Sequence, residues 1–221
     1  MKSEKLIKLF ISREYHAKIM IGNNDAINGS RIGGIAPKAF ANACPKCPVC
    51  GRILTYYLSL GSDILPEFLN DRELSVFYCP DFECRSYAQL PWLKPSLRVI
   101  IHSQKSRNNI PLKCDSTMEG RALMLGSIDL DFDDELGSPS QGSKIGGQPG
   151  LIQIGEYEDE IKSLEKDGFQ FLFQFDEESY PEDMEIGDAP FAFGAIYVYA
   201  KLDQISDVEG EDYAIAFWQT T

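Results

Sequence analysis

The feature that most restricts the fold is a repeat. SRIGGIAP at residues 30 to 37 returns as SKIGGQPG at 143 to 150, and the landmarks behind each copy follow in the same order. After the first come ILTYYLSL (53 to 60), Pro66 and ELSVFY (73 to 78). After the second come FQFLFQF (169 to 175), Pro181 and FGAIYVYA (193 to 200). The apolar runs are strand-length, rich in aromatic and β-branched residues and bounded by Gly, Pro, Asp or Ser, which predicts strands. A duplicated unit made mainly of such runs predicts an α+β fold of mainly antiparallel β: two related β-rich repeats with few short helices. The expected division is a first repeat over 1 to 114, an acidic linker or loop over 115 to 142, and a second repeat over 143 to 221, with one compact domain as the alternative. A further strand is expected at 97 to 101. One helix is legible at 156 to 168, where Tyr157, Ile161 and Leu164 share a face, acids lead, lysines trail and Gly168 ends the pattern.

In the first repeat the helix's slot holds cysteines instead, in ACPKCPVCGR (43 to 52). A metal knuckle is therefore expected to take the helix's stabilising place. Cys47-Pro-Val-Cys50-Gly51 has the turn that brings two thiolates to one ion, because glycine after the second cysteine frees backbone N–H groups to point at sulfur. Pro48 deprives the Cys44 and Cys47 pairing of such a donor. Cys79 and Cys84, which follow the strand SVFY, supply the remaining corners of a tetrahedral, four-thiolate zinc site. Such a closed shell is structural. Cys44 is the alternative donor, and it and Cys114 are otherwise expected to be free thiols without a nucleophile's partners. Disulfides are disfavoured because no secretory signal is read at the N-terminus. His16 and His102 have no pattern of a catalytic dyad, and His102 is expected as a polar residue at a strand edge. Asp129, Asp131 and Asp133 share the opening spacing of a calcium loop, but Asp134 and Ser140 stand where Gly and Glu are needed. The Gly-Gly motifs lack the frame of a phosphate loop and are read as tight turns.

The net charge of −13 divides unevenly, about +7 over 1 to 114 and −20 over 115 to 221. Acidity of that kind repels phosphate, disfavours nucleic acid and suits a basic protein partner, although acidic surfaces also serve solubility. No run is long enough to span a membrane, so a cytoplasmic protein is expected.

CPVCGRILTYYLSL with RELSVFYCPDFEC resembles the N-terminal module of the programmed-cell-death-two family. SKIGGQPG, FQFLFQFDEESYP and PFAFGAIYVYA are similar to the YwqG-like family. The resemblance implies that Cys47, Cys50, Cys79 and Cys84 hold the metal. It also implies that Ser143, Gly146, Gly147 and Pro149 form the family's turn, with Gln174 and Asp176 ending the aromatic strand, and these six residues are the expected partner contacts. It further implies a non-enzymatic, chaperone-like or toxin-immunity-like module; the acidic charge makes a basic client or toxin the expected partner, and the edges of duplicated sheets make a strand edge or groove the expected contact. The rival expectation is an enzyme using Asp176, Glu177 or Glu178 as acid or base between the halves.

Overall fold

The structure is a computed structural model, and it describes residues 10, 12–23, 29–65, 69–87, 96–104, 111–133, 137–155, 157–187, 189–205 and 208–220. Pro66 and Asp134 lie outside the described residues. The first repeat contains β1 (Tyr15–Ile21), β2 (Arg31–Ile32), β3 (Thr55–Leu60), β4 (Arg72–Tyr78), the helix α1 (Phe82–Tyr87) and β5 (Leu97–Ser103). The second contains β6 (Arg121–Leu130), β9 (Lys144–Ile145), α2 (Glu158–Lys166), β10 (Gln170–Asp176), β11 (Ala195–Ala200) and β12 (Ala214–Gln219). Between β6 and β9 lies a small hairpin of β7 (Phe132–Asp133) and β8 (Ser138–Pro139). The fold is thus mainly antiparallel β, as the apolar runs predict.

All the repeat strands join one ten-stranded sheet in the order β12-β11-β10-β9-β1-β6-β2-β3-β4-β5. The two repeats keep the same register. Arg31 lies opposite Ser59 and Ala122, while its counterpart Lys144 lies opposite Gln174 and Lys18. Gly33 N–H donates to the Tyr57 carbonyl and Gly146 N–H to the Leu172 carbonyl, each partner being the bulged residue of its strand. At the centre Met20 faces Met124, and the flanking pairs Ile19–Leu125 and Ile21–Leu123 exchange under the repeat. A local twofold axis therefore runs between the two methionines.

The leading strands are exchanged across that axis: β1 pairs with β9 of the second repeat, and β6 pairs with β2 of the first. The expected linker over 115 to 142 is therefore corrected, because it contributes β6, a central strand with neighbours on both sides. Its alternating Ala, Leu, Met and Gly residues were masked by the acidic run behind them. The outermost strands also meet. Ile101 of β5 exchanges both backbone hydrogen bonds with Gly210, just before β12, at 2.9 and 2.8 Å. Arg72–Glu209, at 2.6 Å, and Arg98–Glu211 pair across the same seam. A sheet that curls until its ends touch leaves little free edge, so recognition by an open strand edge, as expected from the sequence, is not what this geometry offers.

The inner face forms one core from both repeats, including Leu58, Val76 and Ile101 with Phe173, Val198 and Trp218. Tyr57 Oη and Tyr180 Oη are 2.8 Å apart across the join. On the outer face the repeats differ in the way the sequence slots predict. Leu164 and Tyr157 of the α2 region cover Phe171, Tyr197, Tyr199 and Phe217. In the first repeat the cysteine loop covers the equivalent Tyr56 and Phe77, with Cys47 and Cys79 themselves in that cluster.

Candidate metal centre

The knuckle forms because its backbone is satisfied locally. Cys47 N–H donates to the Arg52 carbonyl at 2.8 Å, Gly51 N–H to the Cys47 carbonyl at 2.9 Å, and Leu54 N–H to the Pro45 carbonyl at 2.9 Å. Gly51 has φ +73°, a conformation that a side chain would resist. The second cysteine pair is set by the end of β4 and the start of α1. There Asp81 caps the helix, its Oδ1 accepting from Cys84 N–H at 3.1 Å, and Arg85 N–H returns to the Asp81 carbonyl at 3.0 Å.

These two turns bring Cys47, Cys50, Cys79 and Cys84 together, with all four sulfurs within 4.8 Å of one another. Cys47 and Cys84 Sγ are 3.6 Å apart, and Cys50 and Cys79 Sγ are 3.5 Å apart. A tetrahedral ion with metal–sulfur bonds of about 2.3 Å spaces its thiolates by about 3.8 Å, so the set can hold a metal ion. Backbone N–H groups of Arg52 and Asp81 point at Cys50 and Cys79. The first lowers the Cys50 thiol, whereas burial pushes Cys79 well up, and pushes Cys84 up to about 11. A metal ion binding here would have to displace the protons of the buried thiols, so occupancy should rise with pH.

Cys44 and Cys114 are not the free thiols expected; they form a disulfide, with Cα atoms 5.7 Å apart. It ties the knuckle to the loop before β6, and the Cys114 carbonyl accepts Tyr56 N–H at 2.7 Å. The signal was arithmetic, since four ligands leave two cysteines to find each other. Cys44 is thereby withdrawn as an alternative ligand.

The six expected partner contacts are not at the surface as a group. Ser143, Gly146, Gly147, Gln174 and Asp176 are buried and Pro149 is half-buried. They hold the turn instead. Ser143 Oγ accepts Asp176 N–H at 2.9 Å, as Ser30 Oγ accepts Gly61 N–H at 2.8 Å in the first repeat. Gln174 accepts from Gly150 N–H at 2.7 Å and donates to the Gly142 carbonyl at 2.8 Å. Gly146 and Gly147 have φ +74° and +72°, and a Cβ on Gly147 would fall on the Asp131 carboxylate.

That carboxylate is a residue for which sequence reasoning found no role. Asp131 is fully buried, 2.6 Å from Lys144 Nζ and 3.4 Å from His16 Nδ1, and it accepts Gln148 N–H at 2.7 Å. Burial raises its pKa, but His16, Lys144 and the backbone outweigh burial and hold it below the usual carboxylate range. Burial lowers Lys144. The cluster bolts the exchanged strand β1 to β9, and the available hint was the cation shared by Arg31 and Lys144 between serine and isoleucine in both copies. His102 is likewise buried, with Nε2 2.8 Å from Ser75 Oγ.

The rival catalytic carboxylates have main-chain occupations. Asp176 Oδ1 accepts Glu178 N–H at 2.9 Å, and Glu177 accepts Phe191 N–H and Phe193 N–H at 3.0 and 2.8 Å. Burial raises Asp176 and pushes Glu177 up to about 7. Glu177 thereby fixes a turn in which Ala192 and Phe193 both take positive φ, +53° and +61°, and Phe193 projects 58% exposed. Among the described residues no helix is long and apolar enough to cross a membrane. No family profile matches the chain, and no curated protein matches it.

Proposed function

We propose that this protein is a zinc-braced binding module that presents an acidic, aromatic-tipped surface of the second repeat to a basic protein partner. The observation that carries the reading is the 178 to 185 stretch, which exposes Glu178, Glu182, Asp183 and Glu185 shortly before the exposed Phe193. Of the nearby cations, Lys144 is buried against Asp131, and Arg121, paired with Glu119, reaches Asp183 but none of the three glutamates among the described residues. Phe193 is exposed in a backbone conformation that costs about 1–3 kcal/mol and is held by a buried carboxylate, a pattern common at recognition sites. Aromatic anchors with flanking charge suit protein recognition and fast, salt-sensitive encounter.

Zinc is the ion that four thiolates at these spacings favour, and a shell filled by four thiolates suits a bracing part on the outer face of the first repeat. Cys47, Cys50, Cys79 and Cys84 would hold it. The engagement of Asp176 and Glu177 with backbone N–H groups favours binding over turnover. By resemblance the client would be a ribosomal protein or a toxin. The test is capture by the immobilised protein from its own cells, run beside a variant with Glu178, Glu182 and Glu185 changed to Lys and Phe193 to Ala. A basic protein retained by the wild type, released by salt and lost by the variant is expected; equal retention by both proteins would refute the reading.

A further inference from the structure

A pocket of about 410 Å³ opens beside the four thiols, where the two repeats meet. Tyr78, Pro80, Phe82 and Arg85 line it from the first repeat, with Thr117 and Pro190 opposite. Its size falls in the range of small-molecule and peptide-end sites, about 300–1,000 Å³. Arg85 is the unusual member. It is only 6% exposed, yet its guanidinium makes one hydrogen bond, from Nη1 to the Cys79 carbonyl. Its Nε is buried with no hydrogen-bond partner, and it forms no ion pair among the described residues. The rings of Tyr78 and Phe82 lie 5.1 and 5.6 Å from the guanidinium carbon, with the charges of Glu177 and Asp81 felt more weakly.

Buried charges are as a rule paired, and arginine remains charged in proteins. The nearby acids are committed elsewhere: Asp81 to Arg52 and Cys84 N–H, Glu177 to the Phe191 and Phe193 N–H groups. Among the described residues no carboxylate pairs with Arg85, which leaves guanidinium donors for an anion entering the pocket. A guanidinium fork matches a planar carboxylate, while one cation in a chain of net charge −13 is poorly matched to a phosphate dianion. The ring and proline walls ask for an apolar body behind the charge.

We propose that this pocket binds a carboxylate carried on an apolar group, the anion against Arg85 and the apolar part among Phe82, Pro80 and Pro190. The carboxylate belongs either to a small organic acid or to the C-terminus of a peptide. Pro80 and Phe82 lie between Cys79 and Cys84, and Arg85 directly follows Cys84, so occupancy also steadies the second cysteine pair.

The test is calorimetric titration of the metal-loaded full chain with 3-phenylpropionate and with N-acetyl-Pro-Phe, each beside its neutral amide. At least one acid is expected to bind at least about tenfold more tightly than its amide. Tighter binding of the peptide acid assigns the site to chain termini, and tighter binding of the free acid assigns it to small molecules. Arg85→Gln is expected to abolish the difference between acid and amide. Should that variant lose its metal or fold, Thr117→Trp, at an exposed wall position, is expected to block both acids without lowering Tm. The proposal is overturned if acids and amides bind alike, if neither acid binds, or if Thr117→Trp leaves acid binding unchanged.

Discussion

At the residue scale the weight falls on a few buried polar groups. Cys79 is buried, closes the thiol cluster and belongs to the outer-face core over Phe77. Cys79→Ser is expected to abolish stoichiometric metal binding and to cost about 3–5 kcal/mol, as loss of a structural metal does; elemental analysis with denaturant melts reads both. Glu177 makes a prediction of different sign. Its folded pKa of about 7 stands above its ordinary 4.5, so its contribution is fully present below pH 4.5 and is lost as pH rises through 7. The wild type should therefore lose stability, on the order of 3 kcal/mol from this group, between those limits. Glu177→Gln should flatten that slope while loosening the Phe193 turn, and Tm against pH for the two proteins checks it. The four metal thiols were readable because spacing and glycine placement are local. Asp131, Lys144 and His16 were not, since a buried ion pair is defined by partners brought from three separate strands or loops.

At the element scale, the knuckle and α2 do the same work on equivalent strands by different means. One gathers four sulfurs from two turns into a set that can hold a metal ion; the other lays an apolar stripe on the aromatic residues of β10, β11 and β12. Chelation should therefore raise amide exchange in β3 and β4 well before β10 and β11, in a hydrogen-exchange experiment resolved by segment. Uniform loss of protection would mean that the two covers are not independent. Leu164→Ala should cost about 2–4 kcal/mol, read by denaturant melts, with the metal retained, because Leu164 is 2% exposed at the centre of the α2 contact. The strands β3, β4, β5, β10 and β11 and the helix α2 were all legible from period and punctuation. By contrast β2 and β9 are two residues long, too short for any period, and were seen only as glycine turns. α1 is hidden inside a cysteine spacing.

For the whole molecule, the exchange of β1 and β6 decides what a domain is. Each repeat lacks its own central neighbour and receives it from the other, while the inner core draws side chains from both. Residues 1 to 114 and 115 to 221 made separately should therefore lack native near-UV circular dichroism, and mixing them should restore it. Independent folding of either fragment would contradict the strand exchange. The meeting of β5 and β12 likewise leaves little free strand edge, so on the proposed reading recognition falls to the loops, where the acidic stretch and Phe193 lie.

The sequence by itself determined the duplicated unit, the β-rich class, the position of α2 and the four thiols, because each is written in short-range spacing: side-chain period, a glycine after a cysteine, an identical turn repeated. Only the tertiary structure decided that the linker is a central strand, that Cys44 and Cys114 pair, that the shared turn faces inward, and that Arg85 is buried with no ion-pair partner among the described residues. Those outcomes depend on which distant segments share a neighbour, and a strand carries no local mark of the strand it will lie beside.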